Sequence, residues 1–234
     1  MRNAFSYFPR LYIPRDGCSD YLHPGFVEQI DRAAVATIFE VGCANGADTL
    51  RLSRTFPAFI YAFECNPDIL AETRKRLAGE QRIRLVEQAA WDADITIPFF
   101  PVVSATENGR PVHNPGASSC FRARPDYIGV YTQREAMVET TRLDTYCARN
   151  GIVSIDLLCI DAQGAELHIL KGLGDAIDSV RYVISEIEVQ PIYYHQDQYP
   201  AVHGYLKSKG FVQRAEVYRD RWFSDYLYVR RSLM

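Results

Sequence analysis

Residues able to bind a charged ligand stand close together in E-V-G-C-A-N-G, which runs from Glu40 to Gly46. The segment follows a short β-branched run and opens a stretch with helical character, so it predicts a strand–turn–helix corner. Gly42 permits the tight turn, and Gly46 lets the backbone approach a ligand closely. The Glu40 carboxylate is placed to hold an ammonium group, directly or through water. An ordinary corner without a ligand is the alternative.

A second acidic residue, Glu64, follows about 20 positions after this glycine turn, in Y-A-F-E-C-N-P. A carboxylate at this spacing is placed to bind both hydroxyls of a ribose, which suits NAD as well as S-adenosylmethionine. The full fingerprint G-x-G-x-x-G is missing, because Ala44 occupies the position of the second glycine. A pyrophosphate needs that glycine, whereas S-adenosylmethionine has no phosphate. The two motifs together therefore favour S-adenosylmethionine.

The turn after the third predicted strand, Q-A-A-W-D, is expected to close over the adenine. Ala90 and Trp91 are candidate neighbours of that ring, and a core position for Trp91 is the alternative. Cys65 is a further candidate because it follows Glu64 directly. The complete predicted cofactor-binding set is Glu40, Gly42, Asn45, Gly46, Glu64, Cys65, Ala90, Trp91 and Asp161.

Asp161 follows the apolar run I-D-L-L-C-I and lies at the carboxyl end of a predicted strand, where open α/β sheets bind ligands. The next strand ends in S-E-I-E-V, which brings Glu186 or Glu188 beside it. Asp161 and Glu186 could hold Mg²⁺ through oxygen ligands, with His195 as the base that deprotonates a hydroxyl. In the alternative, Asp161 binds the acceptor, Glu186 caps a turn and His195 lies on the surface.

The elements that must position these residues alternate in type, which predicts a parallel sheet with helices on both faces. The last two strands follow each other without a helix, so the last one should run antiparallel. This combination is an α/β, Rossmann-like class I methyltransferase fold with a seven-stranded, mostly parallel sheet. The predicted strands are 37–41, 59–63, 82–87, 155–160, 181–188, 211–217 and 226–230; the predicted helices are 47–55, 67–77, 166–173 and 199–209.

Two segments lie outside this alternation. Residues 1–34 are rich in aromatic residues and are interpreted as a lid over the acceptor, ahead of a domain over 35–234. Residues 92–142 form an insertion between the third and fourth strands, predicted as a hairpin-like extension plus a mobile loop near the active site. Together these segments should form the acceptor pocket.

Composition narrows the choice of partners. The net charge of −3 gives no bulk electrostatic reason to expect nucleic acid or an anionic membrane. No apolar run approaches the ~20 residues of a membrane helix, and the N-terminus lacks a signal-peptide pattern. The six cysteines include no C-x-x-C pair, which favours reduced thiols in a cytoplasmic protein. A small-molecule acceptor is expected, and a homo-oligomer is left open.

Four segments resemble the FkbM-type methyltransferase family over roughly residues 35–215. They are VGCANGADT, FECNP, TRLDTYCARNGIVSIDLLCIDAQGAELHILKGL and SEIEVQPIY…GYLKSKGF. The block D-x-[EQ]-G-x-E-x-x-x-L-x-G is the most specific part, and Gln163 stands where many members carry glutamate. The resemblance implies transfer of a methyl group from S-adenosylmethionine to a hydroxyl, commonly on a sugar or a polyketide-type metabolite.

Three other functions remain as alternatives. An NAD-dependent or nucleotide-sugar oxidoreductase is disfavoured by Ala44 and by the lack of a Tyr-x-x-x-Lys pair. A binding module without catalysis is disfavoured because Glu40, Gly42, Glu64 and Asp161 are all present. A nucleic-acid amino-methyltransferase would carry N/D-P-P-Y/F after the fourth strand, where this chain has I-D-A-Q-G.

Overall fold

Strands and helices alternate along most of the chain. The computed structural model describes residues 20–107, 109–126 and 130–234. In chain order its helices and strands are α1 (Pro24–Val27), β1 (Thr37–Val41), α2 (Ala47–Thr55), β2 (Phe59–Phe63), α3 (Leu70–Leu77), β3 (Ile83–Val86), β4 (Ala89–Ala90), β5 (Thr96–Phe99), β6 (Val102–Glu107), β7 (Arg110–Val112), β8 (Val130–Gln133), β9 (Ala136–Thr141), α4 (Leu143–Asn150), β10 (Leu157–Ile160), α5 (Glu166–Gly172), β11 (Tyr182–Glu188), α6 (Tyr199–Ser208), β12 (Phe211–Tyr218) and β13 (Phe223–Arg230).

Seven strands of the described chain form the central sheet, in the order β12-β13-β11-β10-β1-β2-β3. β13 runs antiparallel to both of its neighbours, and the other adjacent strands are parallel. This arrangement confirms the predicted fold class. The strand order reverses between β1 and β10, so the connections that follow them lead to opposite sides and leave a crevice at this edge.

Buried side chains cover both faces of the sheet. On one face, Phe39 and Leu158 pack with Leu170 of α5 in the larger core cluster. On the other face, Ile38 packs with Leu52 of α2. Because successive residues of a strand point to opposite faces, neighbouring residues of β1 serve the two halves of the core. The sheet is therefore buried on both sides, and its ligand site lies at its edge.

The N-terminal segment contributes to this second core. Tyr21, Phe26 and Ile30 are buried there together with Ile38. The described part of the predicted lid thus covers a sheet face because its aromatic and aliphatic residues are needed to exclude water from it. Residues 1–19, with the other aromatic residues of the segment, lie outside the described residues, so an acceptor lid there stays a prediction.

The insertion at 92–142 includes a hairpin, β6 and β7, which pair antiparallel, and its strands also take part in two small three-stranded sheets. One sheet has the order β4-β9-β5 and the other β7-β6-β8. Their strands pair over long separations in sequence: Val102 of β6, for example, lies opposite Gln133 of β8. Local patterns cannot reveal pairing at that distance. The insertion is therefore more ordered than its turn-rich sequence suggests.

Helix boundaries differ from the predictions at two places. α3 begins at Leu70 and not at Pro67, because the Asn66 side chain accepts a hydrogen bond from the Asp68 N–H (3.1 Å) and holds a turn. α4 is absent from the predicted set, since its two turns are too short for a clear apolar period. None of the helices in the described ranges has the length and apolar character needed to cross a bilayer.

Candidate active site

A cleft of about 1010 Å³ opens at the carboxyl edge of the sheet, next to the strand-order reversal. One wall comes from the loops after β1, β2, β3 and β10, and the other comes from the insertion. Of the predicted cofactor residues, those that line the cleft are Gly42, Asn45, Glu64, Cys65, Ala90 and Asp161. Sequence reasoning missed several lining residues of the insertion, namely Phe99, Val102, His113, Asn114, Ser118, Tyr131 and Arg134.

The two glycines of the β1 loop are required by packing. Gly42 has a φ of +83°, and a Cβ there would lie 1.9 Å from the Asp161 carbonyl oxygen. Gly46 has a φ of +79°, and its Cβ would lie 2.9 Å from the Leu77 side chain of α3. The expected reason for Gly46 was close approach of the backbone to a ligand. In the structure Gly46 instead lies against α3, and it is absent from the cleft lining.

Ala44, at the position of the missing second glycine, still adopts a left-handed backbone with a φ of +47°. This conformation is uncommon for a residue with a Cβ and carries strain. It is held from both sides: the Ala44 N–H donates to Glu64 Oε2 (2.8 Å), and the Ala44 carbonyl accepts from the Thr73 hydroxyl (2.7 Å). The loop therefore keeps a glycine-like path through hydrogen bonds from two neighbouring elements.

Glu64 joins the loops that follow β1 and β2. Besides Ala44, its carboxylate accepts from the N–H groups of Cys65 (2.9 Å) and Asn66 (2.7 Å). Burial raises the pKa of Glu64 to about 7, although these three N–H groups act to lower it. A carboxylate offers about four lone pairs, so most of its capacity already serves the loops. If Glu64 is to accept hydrogen bonds from both ribose hydroxyls, one of its three hydrogen bonds to the loop N–H groups must break.

Glu40 lies beneath the β1 loop and is fully buried. Neither of its carboxylate oxygens has a hydrogen-bond partner among the described residues, and the neighbouring Thr49 hydroxyl is unpartnered as well. Burial raises the pKa of Glu40 to about 8, and the nearby carboxylates of Asp48 and Glu64 act in the same direction. An unpaired buried carboxylate is costly, and a nearby cation or water would relieve that cost. Glu40 lies behind the cleft lining, so its contact with a ligand would run through the loop or through water.

The Asp161 carboxylate lines the cleft and is bridged to Glu186 by the side chain of Gln163. The Gln163 amide nitrogen lies 2.6 Å from Asp161 Oδ1 and 3.0 Å from Glu186 Oε1. An amide group therefore lies between the two carboxylates predicted to hold Mg²⁺. The described residues contain no group of three or more His, Cys, Asp or Glu side chains arranged to hold a metal ion. The expectation of Mg²⁺ receives no support.

Trp91 and His195, like Glu40, Gly46 and Glu186, do not line the cleft. Trp91 stacks on the His168 ring at 3.9 Å, with 6° between the ring planes, and packs against the core. His195 is exposed, has a φ of +65°, and lines a separate depression of about 290 Å³. Phe100 lines this depression whereas Phe99 lines the main cleft. Adjacent residues of an extended chain point in opposite directions, and Cys120 lines both cavities, so the depression adjoins the cleft and His195 lines only the depression.

The cleft is strongly acidic. Its lining includes the carboxylates of Asp48, Glu64, Asp68, Glu72 and Asp161. Among the described lining residues, Arg134 is the sole lysine or arginine, and its guanidinium pairs with Asp68 across the cleft. Two other arginines of the insertion, Arg122 and Arg124, pair with Glu135 (2.6 Å) and Asp126 (2.8 Å). Two more of the lining carboxylates pair with arginines outside the lining, Asp48 with Arg51 (2.8 Å) and Glu72 with Arg76 (3.0 Å). The remaining excess of carboxylates in the lining favours a cationic ligand over an anionic one.

Comparison with solved structures supports the fold. Fibrillarin pre-rRNA processing protein from Methanococcus jannaschii superposes with a TM-score of 0.52 at 12% identity, over 86% of this chain and 69% of that one. Aeropyrum pernix fibrillarin, solved with natively bound S-adenosyl-L-methionine, gives a TM-score of 0.50 at 13% identity, over 85% and 67%. At this identity the likeness concerns the fold alone, that of class I methyltransferases.

Sequence comparison identifies a nearer relative. The 2-O-methyltransferase NoeI of Sinorhizobium fredii is 29% identical over 161 residues, which are 67% of this chain and 65% of that protein. The chain thus spans slightly less than two thirds of its relative. The model of the FkbM methyltransferase domain matches residues 40–212, from the buried Glu40 to the start of β12. Since this match takes in well over half of the sequence and most of the central sheet, the chain belongs to the FkbM family of S-adenosylmethionine-dependent methyltransferases.

Proposed function

We propose that this protein transfers a methyl group from S-adenosylmethionine to a hydroxyl of a small, sugar-containing acceptor. The acidic cleft carries the proposal. S-adenosylmethionine carries a sulfonium and an ammonium group against one carboxylate, so its net charge is positive. The described cleft lining has five carboxylates against one arginine, and although three of the five pair with arginines, the balance of the lining stays acidic. The name of the relative NoeI, a 2-O-methyltransferase, supports a hydroxyl as the acceptor. Transfer to a nitrogen or carbon atom is a different outcome that product analysis would reveal.

The cofactor wall suits S-adenosylmethionine group by group. Ala89 and Ala90 present a small apolar surface for the adenine, and Glu64 stands beside it for the ribose. The β1 loop faces the methionine portion, with the unpaired Glu40 carboxylate behind it. The cofactor supplies an electrophilic methyl group on a positively charged sulfur. The protein must align an acceptor hydroxyl oxygen with that methyl group and remove the hydroxyl proton.

Asp161 is our candidate for proton removal. It terminates β10 where the cofactor loops meet the insertion, so both ligands can reach it. As the hydroxyl oxygen forms its bond to the methyl carbon, the hydroxyl proton passes to the Asp161 carboxylate. His195, the other predicted base, lines the neighbouring depression and not the cleft. The described geometry therefore favours Asp161.

The insertion supplies the acceptor wall. Tyr131 and Phe99 offer apolar faces, and His113 and Asn114 offer hydrogen-bonding groups. A hydroxylated ring needs both kinds of contact, because polar groups fix orientation inside a largely apolar pocket. This distribution supports the proposal that residues 92–142 select the acceptor. The absence of a nucleic-acid partner, a cytoplasmic location and the oligomeric state stay predictions.

The dinucleotide alternative is opposed by Asp48. This residue lies in the first turn of α2 and lines the cleft, where a pyrophosphate would otherwise meet the helix N-terminus. A carboxylate at that position, even one paired with Arg51 (2.8 Å), makes the helix N-terminus less favourable for a phosphate. NAD should therefore leave the melting temperature unchanged, whereas S-adenosylhomocysteine should raise it. A rise with NAD and none with S-adenosylhomocysteine would reverse the assignment.

Transfer itself is tested with methyl-labelled S-adenosylmethionine and a panel of sugars and glycosides. Label should appear in an acceptor as an ether methyl group, resistant to mild base and assigned to oxygen by NMR. The matched control is the acceptor in which the attacked hydroxyl is replaced by hydrogen. Label on nitrogen or carbon would contradict the proposal of O-methyl transfer.

A further inference from the structure

Gln163 is fully engaged by its surroundings. Its amide nitrogen has two hydrogens, and the two acceptors within reach belong to different carboxylates, Asp161 (2.6 Å) and Glu186 (3.0 Å). The reverse orientation would place the amide oxygen against both carboxylates. The chemistry of its neighbours therefore fixes which end of the amide faces them.

The other end of Gln163 is held from the insertion side. The Tyr193 hydroxyl lies 2.9 Å from Gln163 Oε1 and 2.9 Å from the Ala117 carbonyl oxygen, and its single hydrogen serves one of them at a time. The main-chain carbonyl of Gln163 accepts from the Ser119 hydroxyl at 2.7 Å. Ala117 and Ser119 belong to the acceptor-side insertion, so Gln163 connects that wall to the tip of β10.

The backbone of Gln163 is strained, with a φ of +52°. Such a conformation persists in a residue with a Cβ when the surroundings determine it. Here Ser119 holds the main chain, while Asp161, Glu186 and Tyr193 hold the side chain. The strained backbone thus directs one amide group between the two carboxylates.

We propose that Gln163 is a positioning residue whose amide takes the place of a cation between Asp161 and Glu186. Without a donor between them, the two carboxylates would repel each other. With it, Asp161 keeps one orientation in the cleft, and that orientation depends on the insertion through Tyr193 and Ser119. This role rests on the proposed methyl transfer, because Asp161 is the group it directs.

The decisive variant is Gln163→Glu, which keeps the side-chain length, removes both donors and adds a third carboxylate. It installs the glutamate that many members of the family carry at this position, where a cation or a shared proton would have to replace the amide between the carboxylates. We expect kcat to fall about 10²-fold, as for a misplaced catalytic group, with the S-adenosylhomocysteine Kd within about threefold. Millimolar Mg²⁺ should raise both the melting temperature and kcat of Gln163→Glu, because three carboxylates can bind it. Mg²⁺ should leave the wild type unchanged, as it should the control Gln81→Glu on the exposed turn before β3.

The Mg²⁺-dependent melting temperature does not require turnover, so it decides the proposal even if no hydroxyl acceptor is methylated. Wild-type protein that methylates nothing would overturn the proposed function alone. A Gln163→Glu protein that keeps the wild-type kcat, or whose melting temperature ignores Mg²⁺, would overturn the role of Gln163.

Tyr193→Phe provides a second test that preserves the buried ring. It removes the hydroxyl that reaches both Gln163 and Ala117. Hydrogen exchange of the backbone amides at 117–121 should speed up, and kcat should fall about tenfold while the S-adenosylhomocysteine Kd holds. Unchanged exchange together with unchanged kcat would show that the insertion and Asp161 are not linked through this residue.

Discussion

The Ala44 N–H donates a 2.8 Å hydrogen bond to Glu64 Oε2 and so joins the loops after β1 and β2. The bond stabilises a left-handed alanine in a position where a dinucleotide-binding loop has glycine. It also commits part of a carboxylate that is expected to bind ribose. Glu64 therefore holds the loops after β1 and β2 together even without a ligand.

The first prediction concerns Glu64→Ala. Loss of a charge-assisted hydrogen bond, worth about 1.5–3 kcal/mol, should weaken S-adenosylhomocysteine binding at least tenfold in calorimetry. Because three loop N–H groups lose their acceptor, the ligand-free melting temperature should fall as well. Glu80→Ala, on the exposed turn after α3, is the control and should change neither quantity. Wild-type affinity in Glu64→Ala would rule out the ribose assignment.

The second prediction concerns pH and Glu40. The pKa of Glu40 is raised by burial from 4.5 to about 8, so between these values the folded protein holds a proton that the unfolded chain has lost. Stability should therefore fall as pH rises through this window, by up to about 1.4 kcal/mol for each pH unit from this group. Glu40→Gln cannot ionise and should lose less stability between pH 6 and pH 8 in urea unfolding. Identical slopes in both proteins would contradict the raised pKa.

The third prediction separates Asp161 from a metal ion. Asp161→Asn should lower kcat by about 10²–10⁴-fold, the usual contribution of a general base, with little change in S-adenosylhomocysteine affinity. EDTA should leave wild-type kcat unchanged, because the Gln163 amide lies between the carboxylates. Asp175→Asn, at an exposed position, is the control. Activity lost in chelator and restored by Mg²⁺ would reinstate the metal site.

The fourth prediction compares two adjacent residues of β8. Tyr131 lines the cleft, whereas Val130 is 61% exposed and lies outside its lining. Tyr131→Ala should raise the acceptor KM about tenfold and leave the S-adenosylhomocysteine Kd within about twofold, because the ring contacts only the acceptor side. Val130→Ala should change neither constant. An unchanged KM in Tyr131→Ala would remove β8 from the acceptor pocket.

Much of the scaffold could be predicted from the sequence because its signals are local. β1, α2 and β2 have the predicted bounds, since each consists of a short periodic run ended by a turn residue. Gly42, Glu64 and Asp161 were expected at one sheet edge, and all three line the same cleft. That result follows from topology, because the carboxyl ends of parallel strands meet at a single edge.

The errors concern residues whose surroundings come from distant parts of the chain. Trp91 resembles an adenine neighbour in its local motif, yet its ring stacks on His168 of α5. His195 follows the strand that carries Glu186, yet it lines the neighbouring depression together with Phe100. Tyr21 and Phe26, at the end of the predicted lid segment, are buried against the sheet, whereas a lid formed by residues 1–19 stays a prediction. In each case the residue type indicated a possible role, but the sequence did not indicate which way the side chain points.

The sequence by itself determined the fold class, the family and the strand ends at which polar residues meet. These depend on apolar period, turn chemistry and motif spacing, which are properties of short segments. Only the tertiary structure decided what lies between Asp161 and Glu186. The register of β10 and β11 brings the two carboxylates together, and Ser119, 44 positions before Gln163, holds the backbone that directs an amide between them. The predicted cation is replaced by a hydrogen-bond donor because the fold brings these distant residues within 3 Å of one another.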